Sequence, residues 1–239
     1  MAVPLESLTA PELWPSLARW KSQGMELLGY FPQLPEQDEA PWIILDPKHE
    51  GGLKNQMNKL NFHFIPESIP DSVSIDDTLG PICIDERAII GECVRIEGPC
   101  YIGPDAEVRH GAYIRPNTWL CQGSVVGHCS EIKHSLLLPG SKAPHFNYVG
   151  DSVLGCDVNL GAGSKLSNLR NDGRMIIVRG ISTGDIDSGL RKFGALLGDR
   201  TQVGCNVVTN PGTILGRDSN IWPNVTVSGA NPADSTIKE

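Results

Sequence analysis

The stretch GSKAPHFNYVGDSVLGCDVNLGAG, residues 140–163, holds the side chains best suited to acid–base chemistry: His145, with Asn147, Tyr148 and Asn159 close by in sequence. An imidazole, whose unperturbed pKa is about 6.5, can accept a proton near neutrality. Upstream, Arg115 and Lys133 lie 18 residues apart, each directly after an aliphatic residue, Ile114 and Ile132. If 18 residues make one turn of a repeat, these cations stack at the spacing of neighbouring strands, about 4.8 Å, and repel unless an anion separates them. Glu97, a further 18 residues back, offers another solution, a ladder of Glu97, Arg115 and Lys133. His110 and His128 stack on the same count, but no third ligand falls in register, so no metal is expected.

The positioning element is a repeat. Aliphatic residues fall at Ile84, Ile90, Ile96, Ile102, Val108, Ile114, Leu120, Val126, Ile132 and Leu138, a spacing of six. Four residues after most of them comes a small or β-branched side chain, such as Ala88, Ala106, Thr118, Ser124 or Ser130. The pattern resumes at Leu154, Leu160 and Leu166, and again at Leu197, Val203, Leu215, Ile221 and Val227, with Thr209 in an aliphatic slot. A period of six fits neither a helix nor an alternating strand. It is the hexapeptide signature of a parallel β-helix, in which three short strands make each triangular coil and stacked coils share one core. The predicted fold is all-β, a left-handed parallel β-helix over 75–239, with a helical and irregular extension over 1–74.

Excursions from the wall are predicted at 139–148, where the count stumbles, and at 169–196. The first would carry His145 out on an extruded loop just beyond the Lys133 level. In the extension, residues 7–30 read as a helix with Ser7 or Thr9 as cap, a stripe of Leu13, Leu17 and Trp20, and Pro15 near its start. The Pro-rich stretch 31–74 reads as loops over the first coil.

Charge narrows the function classes. The net charge of −8 lacks the basic footprint of a general nucleic-acid binder. It is uneven: residues 1–74 carry ten acids and five bases, whereas 109–174 carry four acids and seven bases, enough to hold a small anion locally. Seven cysteines without a CxxC pair fit reduced thiols packed in a cytoplasmic protein. No signal-peptide pattern and no run of 18 apolar residues occurs, so neither secretion nor membrane insertion is expected.

The segment from Ile114 to Asn168, IRPNTWLCQGSVVGHCSEIKHSLLLPGSKAPHFNYVGDSVLGCDVNLGAGSKLSN, resembles the acetyltransferase domain of the bifunctional N-acetylglucosamine-1-phosphate uridyltransferase and glucosamine-1-phosphate acetyltransferase. The later SNLRNDGR and SGLRKFGALLGDRTQVGCNVVTNPGTILG resemble related sugar-1-phosphate nucleotidyltransferases that carry the same C-terminal β-helix. The resemblance runs from about Ile84 to Val227 and implies acetyl transfer from acetyl-CoA to the amine of a hexosamine 1-phosphate, glucosamine 1-phosphate first, without a metal. It implies His145 as general base, Arg115 and Lys133 on the sugar phosphate, Tyr148 and Asn159 on the sugar, and Arg174 as a basic residue near the acceptor. On the acetyl-CoA side it implies Asn168, the Ala162 backbone at the thioester, Cys205 and Pro223. The matching side chains depart from the family at Leu169, where an aromatic residue is usual, and at Cys205 and Pro223, where small residues are usual. No glycine-rich nucleotide loop is present, so nucleotidyl transfer is not expected. A homotrimer with the acyl-CoA site between subunits follows from the same resemblance. The alternative reading is a non-catalytic sugar-phosphate-binding or scaffold protein that serves a separately encoded nucleotidyltransferase.

Overall fold

The computed structural model describes residues 2–22, 31–60 and 63–239. Three eight-stranded parallel sheets form the walls of a triangular β-helix, each visited once per coil. The first face begins at Ser74–Asp76, the second at Ile82–Ile84 and the third at Ile89–Ile90. On the first face Ile96, Ile114, Ile132, Val149, Leu166, Thr209 and Val227 pair in one inward line. These side chains join those of the other two faces in a single buried core. At the corners, Ser135, Ser141, Ser164, Thr201, Thr213 and Ser219 donate their hydroxyls to nearby backbone carbonyls. Small residues recur there because the turn leaves little room and its carbonyls need donors.

The stumble in the count has a different cause from the one expected. Leu137, not Leu138, fills the inward slot, and Ala143 fills the next one. Residues 139–148 therefore make no excursion: Lys142–His145 is a strand of the third face and Tyr148–Gly150 a strand of the first. From Ile132 to Val149 is 17 residues, and from Val149 to Leu166 again 17, against 18 from Ile114 to Ile132. Dropping one residue per coil keeps every strand in the wall, which saves the ladder hydrogen bonds an extruded loop would lose. Residues between Lys165–Leu166 and Ala195–Leu197 do leave it, and carry an antiparallel pair, Ile177–Val178 with Ile186–Asp187.

The second face is buried on both sides, which explains the unbroken SLLL run at 135–138. Leu136, Leu138, Trp119 and Val153 point outward into a second cluster with Leu13, Trp14, Trp42, Ile44 and Leu53 of the extension. The extension lies along this face well beyond the first coil. Trp14 Nε1 donates to Leu197 O at 2.9 Å, and Phe64 bridges to Cys83 at the first coil. Buried Asp199 anchors it by accepting from the Ser16 N–H at 2.7 Å and the Cys156 N–H at 2.8 Å.

The helix expected over 7–30 is broken. Leu5–Leu8 is a 3-10 turn, Ala10–Leu13 and Ser16–Ser22 are separate helices, and residues 23–30 lie outside the described residues. Pro15 cannot donate to the helix, and it pushes Trp14 out of the α region, to φ −128 and ψ 51. Thr9 stands at the cap position, but its hydroxyl makes no cap bond. Of the cysteines, Cys83, Cys100, Cys121 and Cys156 are buried and Cys93, Cys129 and Cys205 are exposed; all are free. Burial pushes the Cys83 thiol up to about 12.

Candidate functional site

With the second face covered, outward chemistry is left to the first and third faces and the corner between them. His145 ends the strand Lys142–His145 on the third face, its side chain exposed. Its N–H donates to Asn147 Oδ1 at 3.0 Å, and its carbonyl accepts the Gly163 N–H at 3.0 Å. Asn147 fills the corner slot that neighbouring coils give to Ser or Ala, and is 2% exposed. Its Nδ2 donates to Gly161 O at 2.8 Å, and its own N–H donates to Ser130 Oγ at 3.1 Å. One buried amide thus ties the His145 turn to the coils before and after it.

Between them, Phe146 holds φ 52 at a corner where other coils place Cys93, Gly111, Cys129, Gly163, Asn206 and Asn224. A bulky side chain in the left-handed region is strained. The ring is 57% exposed and meets His128 edge-on, with centroids 5.2 Å apart.

The shortened coil also puts His145 in register with His128, itself stacked on His110 with ring centroids 5.5 Å apart. The third histidine that counting by 18 fails to find is therefore His145. Even so, among the described residues no three His, Cys, Asp or Glu side chains are grouped to hold a metal ion.

On the first face, Arg115 and Lys133 do occupy adjacent coils in one outward column, since Ile114 pairs with Ile132. Each has its own carboxylate. Arg115 Nη1 lies 2.7 Å from Glu131 Oε1, and Lys133 Nζ lies 3.1 Å from Asp151 Oδ2. Burial works against the Arg115 charge, but the Glu131 hydrogen bond and charge leave its pKa raised. The Glu97–Arg115–Lys133 ladder does not form: Glu97 accepts from Tyr113 Oη at 2.9 Å and pairs with Arg95 at 3.3 Å. The anions that separate the cations thus lie within the chain.

Asp151, 3% exposed, is the hub of this region. It takes Lys133, a hydrogen bond from Asn168 Nδ2, and His134 Nδ1 at 3.6 Å. Tyr148 Oη donates to Asn168 Oδ1 at 3.4 Å. Burial pushes the phenol pKa of Tyr148 up, and the Asp151 and Glu131 charges add to the shift, so it stays a donor. The crossing needs the glycine below it, because a Cβ on Gly150 would fall 2.6 Å from Asn168 Nδ2 and 2.7 Å from Tyr148 Oη. Lys133, Tyr148 and Asn168 are therefore brought together. Sequence counting missed Glu131, His134 and Asp151. Glu131 shares a strand with Lys133, a visible signal, whereas the 17-residue coil hides Asp151.

Asn159 sits on the third face beside Lys142, and its side chain makes no hydrogen bond among the described residues. Ala162, Cys205 and Pro223 follow the paired Leu160, Val203 and Ile221 by two residues and so form one corner column. The N–H groups of Ala162 and Cys205 find no acceptor among the described residues. Pro223 is tolerated there because that corner amide lies outside the ladder, though it contributes no donor. Arg174 stands apart on the excursion, its side chain 80% exposed and 3.7 Å from Asp172.

The family model described as the GMPPB C-terminal domain matches residues 96–233. Two curated relatives cover most of the chain. A "bifunctional sugar-1-phosphate nucleotidylyltransferase/acetyltransferase" of Sulfurisphaera tokodaii is 38% identical over 79% of this chain and 45% of its own length. A "bifunctional protein GlmU" of Methanococcus vannielii is 36% identical over 87% of this chain and 46% of its own length. The chain thus spans about half the length of the curated relatives it matches. Among solved structures, the acetyltransferase domain of PglB from Neisseria gonorrhoeae, in complex with acetyl coenzyme A, matches at 14% identity and a TM-score of 0.30. That match covers 87% of this chain and 80% of the other.

Proposed function

From the premise that this chain belongs to the GMPPB C-terminal domain family, we propose that it transfers an acetyl group from acetyl-CoA to the amine of a hexosamine 1-phosphate, glucosamine 1-phosphate first. The observation that carries this reading is the corner itself. His145 is exposed and clamped on both backbone sides, one coil from the Ala162 N–H that lacks an acceptor. The His145 imidazole takes the ammonium proton, the freed amine attacks the thioester carbonyl, and the Ala162 N–H donates to the developing oxyanion. The coenzyme thiolate leaves as the tetrahedral intermediate collapses. Tyr148 and Asn159 orient the sugar; Lys133 and Arg115 meet its phosphate in competition with Asp151 and Glu131.

The coenzyme A moiety is assigned to the Ala162, Cys205 and Pro223 column, while Asn168, past the far end of the first-face strand, is held by Asp151 and Tyr148. This column lies on an uncovered corner, which suits a trimer in which a second copy completes the site. No described helix is long and apolar enough to cross a membrane.

The ion pairs favour a second reading. With Arg115 and Lys133 already matched by carboxylates, the wall stands as a scaffold without ligand, and a separate nucleotidyltransferase is the partner it would serve.

The test is thiol release from acetyl-CoA with a panel of amino-sugar 1-phosphates. His145→Ala should lower turnover roughly 10²–10⁴-fold, the usual weight of a general base, while the melting temperature stays put. Wild-type turnover in that variant would place the base elsewhere; no turnover with any amine leaves the scaffold reading standing.

A further inference from the structure

The outward column that carries Arg115 and Lys133 does not stop at them. One residue per coil, it continues through Gly150, Ser167, Asn210 and Ser228, each following an inward residue of the first face. At Ser167 it enters a cleft of about 420 Å³, walled on the other side by Leu169, Arg170 and Arg179 of the excursion. That volume falls within the usual range for small-molecule sites, about 300–1,000 Å³.

Hydrogen bonding leaves the floor of this cleft open to a ligand. The corner hydroxyls of Ser141, Ser164 and Thr201 are bonded to backbone carbonyls, whereas the side chains of Ser167, Asn210 and Ser228 have no partner among the described residues. They form a rack of three neutral donors and acceptors at strand spacing, about 4.8 Å apart. Above it, Arg170 is occupied by two hydrogen bonds to Asp172, but among the described residues the Arg179 guanidinium meets only Asp185, at 3.7 Å, beyond hydrogen-bond reach. Leu169 and Pro211 give the cleft an apolar edge. An available cation, a row of hydroxyl-matching groups and a flat apolar edge together suit a phosphorylated nucleoside.

We propose that this cleft binds the nucleotide portion of a nucleoside-diphosphate amino sugar, so that the acceptor is the diphosphate-linked sugar and not the simple 1-phosphate. The inference rests on the acetyl-transfer reading for the placement of the sugar end. Its amino sugar lies toward Tyr148 and His145, and its diphosphate and nucleoside run on along Ser167, Asn210 and Ser228 toward Arg179. A hexosamine 1-phosphate would leave the last three rungs of the column empty.

Calorimetric titration of the full chain with UDP-glucosamine and with glucosamine 1-phosphate tests this. UDP-glucosamine should bind at least tenfold more tightly. Arg179→Ala combined with Asn210→Ala should abolish that preference and leave glucosamine 1-phosphate affinity unchanged. Neither side chain makes a hydrogen bond among the described residues, and matched melting temperatures confirm that the double variant is folded; Ser228→Ala provides a milder second variant with a smaller loss in the same direction. Equal affinity for the two compounds, a preference that survives the double variant, or no binding of UDP-glucosamine would overturn the cleft. The parent reading fails separately: tight UDP-glucosamine binding sensitive to Arg179 but not to Lys133→Ala, with no acetyl release, keeps the cleft and removes the transferase.

Discussion

The regular coils and the two shortened ones share a backbone path but solve different problems. In the regular coils small or β-branched residues close the corners, some with a hydroxyl, as Ser219 does with the Gly216 carbonyl at 2.7 Å, and opposite charges pair at the surface, as Arg200 does with Asp218. In the 17-residue coils the corner is closed by Asn147, the hub carboxylate Asp151 is buried, and His134 and Phe146 adopt left-handed φ values of 43 and 52. Removing one residue per coil shifts polar side chains out of the stacking register that repetition would impose. A uniform repeat can build the wall, and the register break brings unlike residues together on it.

The largest contrast should come from the corner residues. Asn147→Ala strips the partner from the His145 N–H and one donor from the Gly161 carbonyl, in a buried corner, and should cost about 2–3 kcal/mol in urea unfolding. Ser219→Ala, the matching change in a regular coil, should cost about 1 kcal/mol. Equal losses would mean that the shortened coils are held no differently from the others.

A pH series sharpens the comparison next. Burial lowers the His134 pKa, Asp151 opposes the shift, and Lys133, Lys54 and Lys192 reinforce it. Because the unfolded chain protonates near ~6.5 and the folded chain resists, the proton favours unfolding, and this contribution is lost as pH falls below that value. His134→Asn, which tolerates the left-handed corner, should therefore flatten the decline in melting temperature between about pH 7 and 5.5. Asp199, raised by burial, slopes the opposite way at lower pH, so the difference between variant and wild type is the quantity to read. A parallel pair of curves would remove His134 from the account.

The smallest effect concerns Phe146. Replacing it by Asn relieves a left-handed strain of about 1–2 kcal/mol and forfeits the edge contact to His128, worth about 0.5–1 kcal/mol. The net should be a slight rise in stability, read as a shift of the urea midpoint. A loss would show that the ring is seated more firmly than its exposure suggests.

How much of this was legible in the sequence differs by element. The inward lines were readable because an aliphatic residue every six positions has one geometric solution. The N-terminal helix was misread because the Leu13, Leu17 and Trp20 stripe was followed through Pro15, whose missing N–H ends the first helix. Cation stacking at Arg115 and Lys133 was legible from the count of 18, whereas their partners were not. Glu131 and Asp151 reach them diagonally and across a shortened coil, and diagonal contacts are not fixed by period.

By itself, then, the sequence determined the β-helix and the stacked column of Arg115 and Lys133, and it offered His145 as the proposed proton acceptor. Period and residue type are local properties, and they sufficed for these. Only the tertiary structure decided that His145 stays in the wall, that Asn147 holds it, and that the cations carry their own carboxylates. It also decided that the column runs on to a cleft under the 169–196 excursion. Each of those depends on where a 17-residue coil, a folded-over excursion and the extension come to rest against one another, and the packing of separate segments has no signature in the spacing of any one of them.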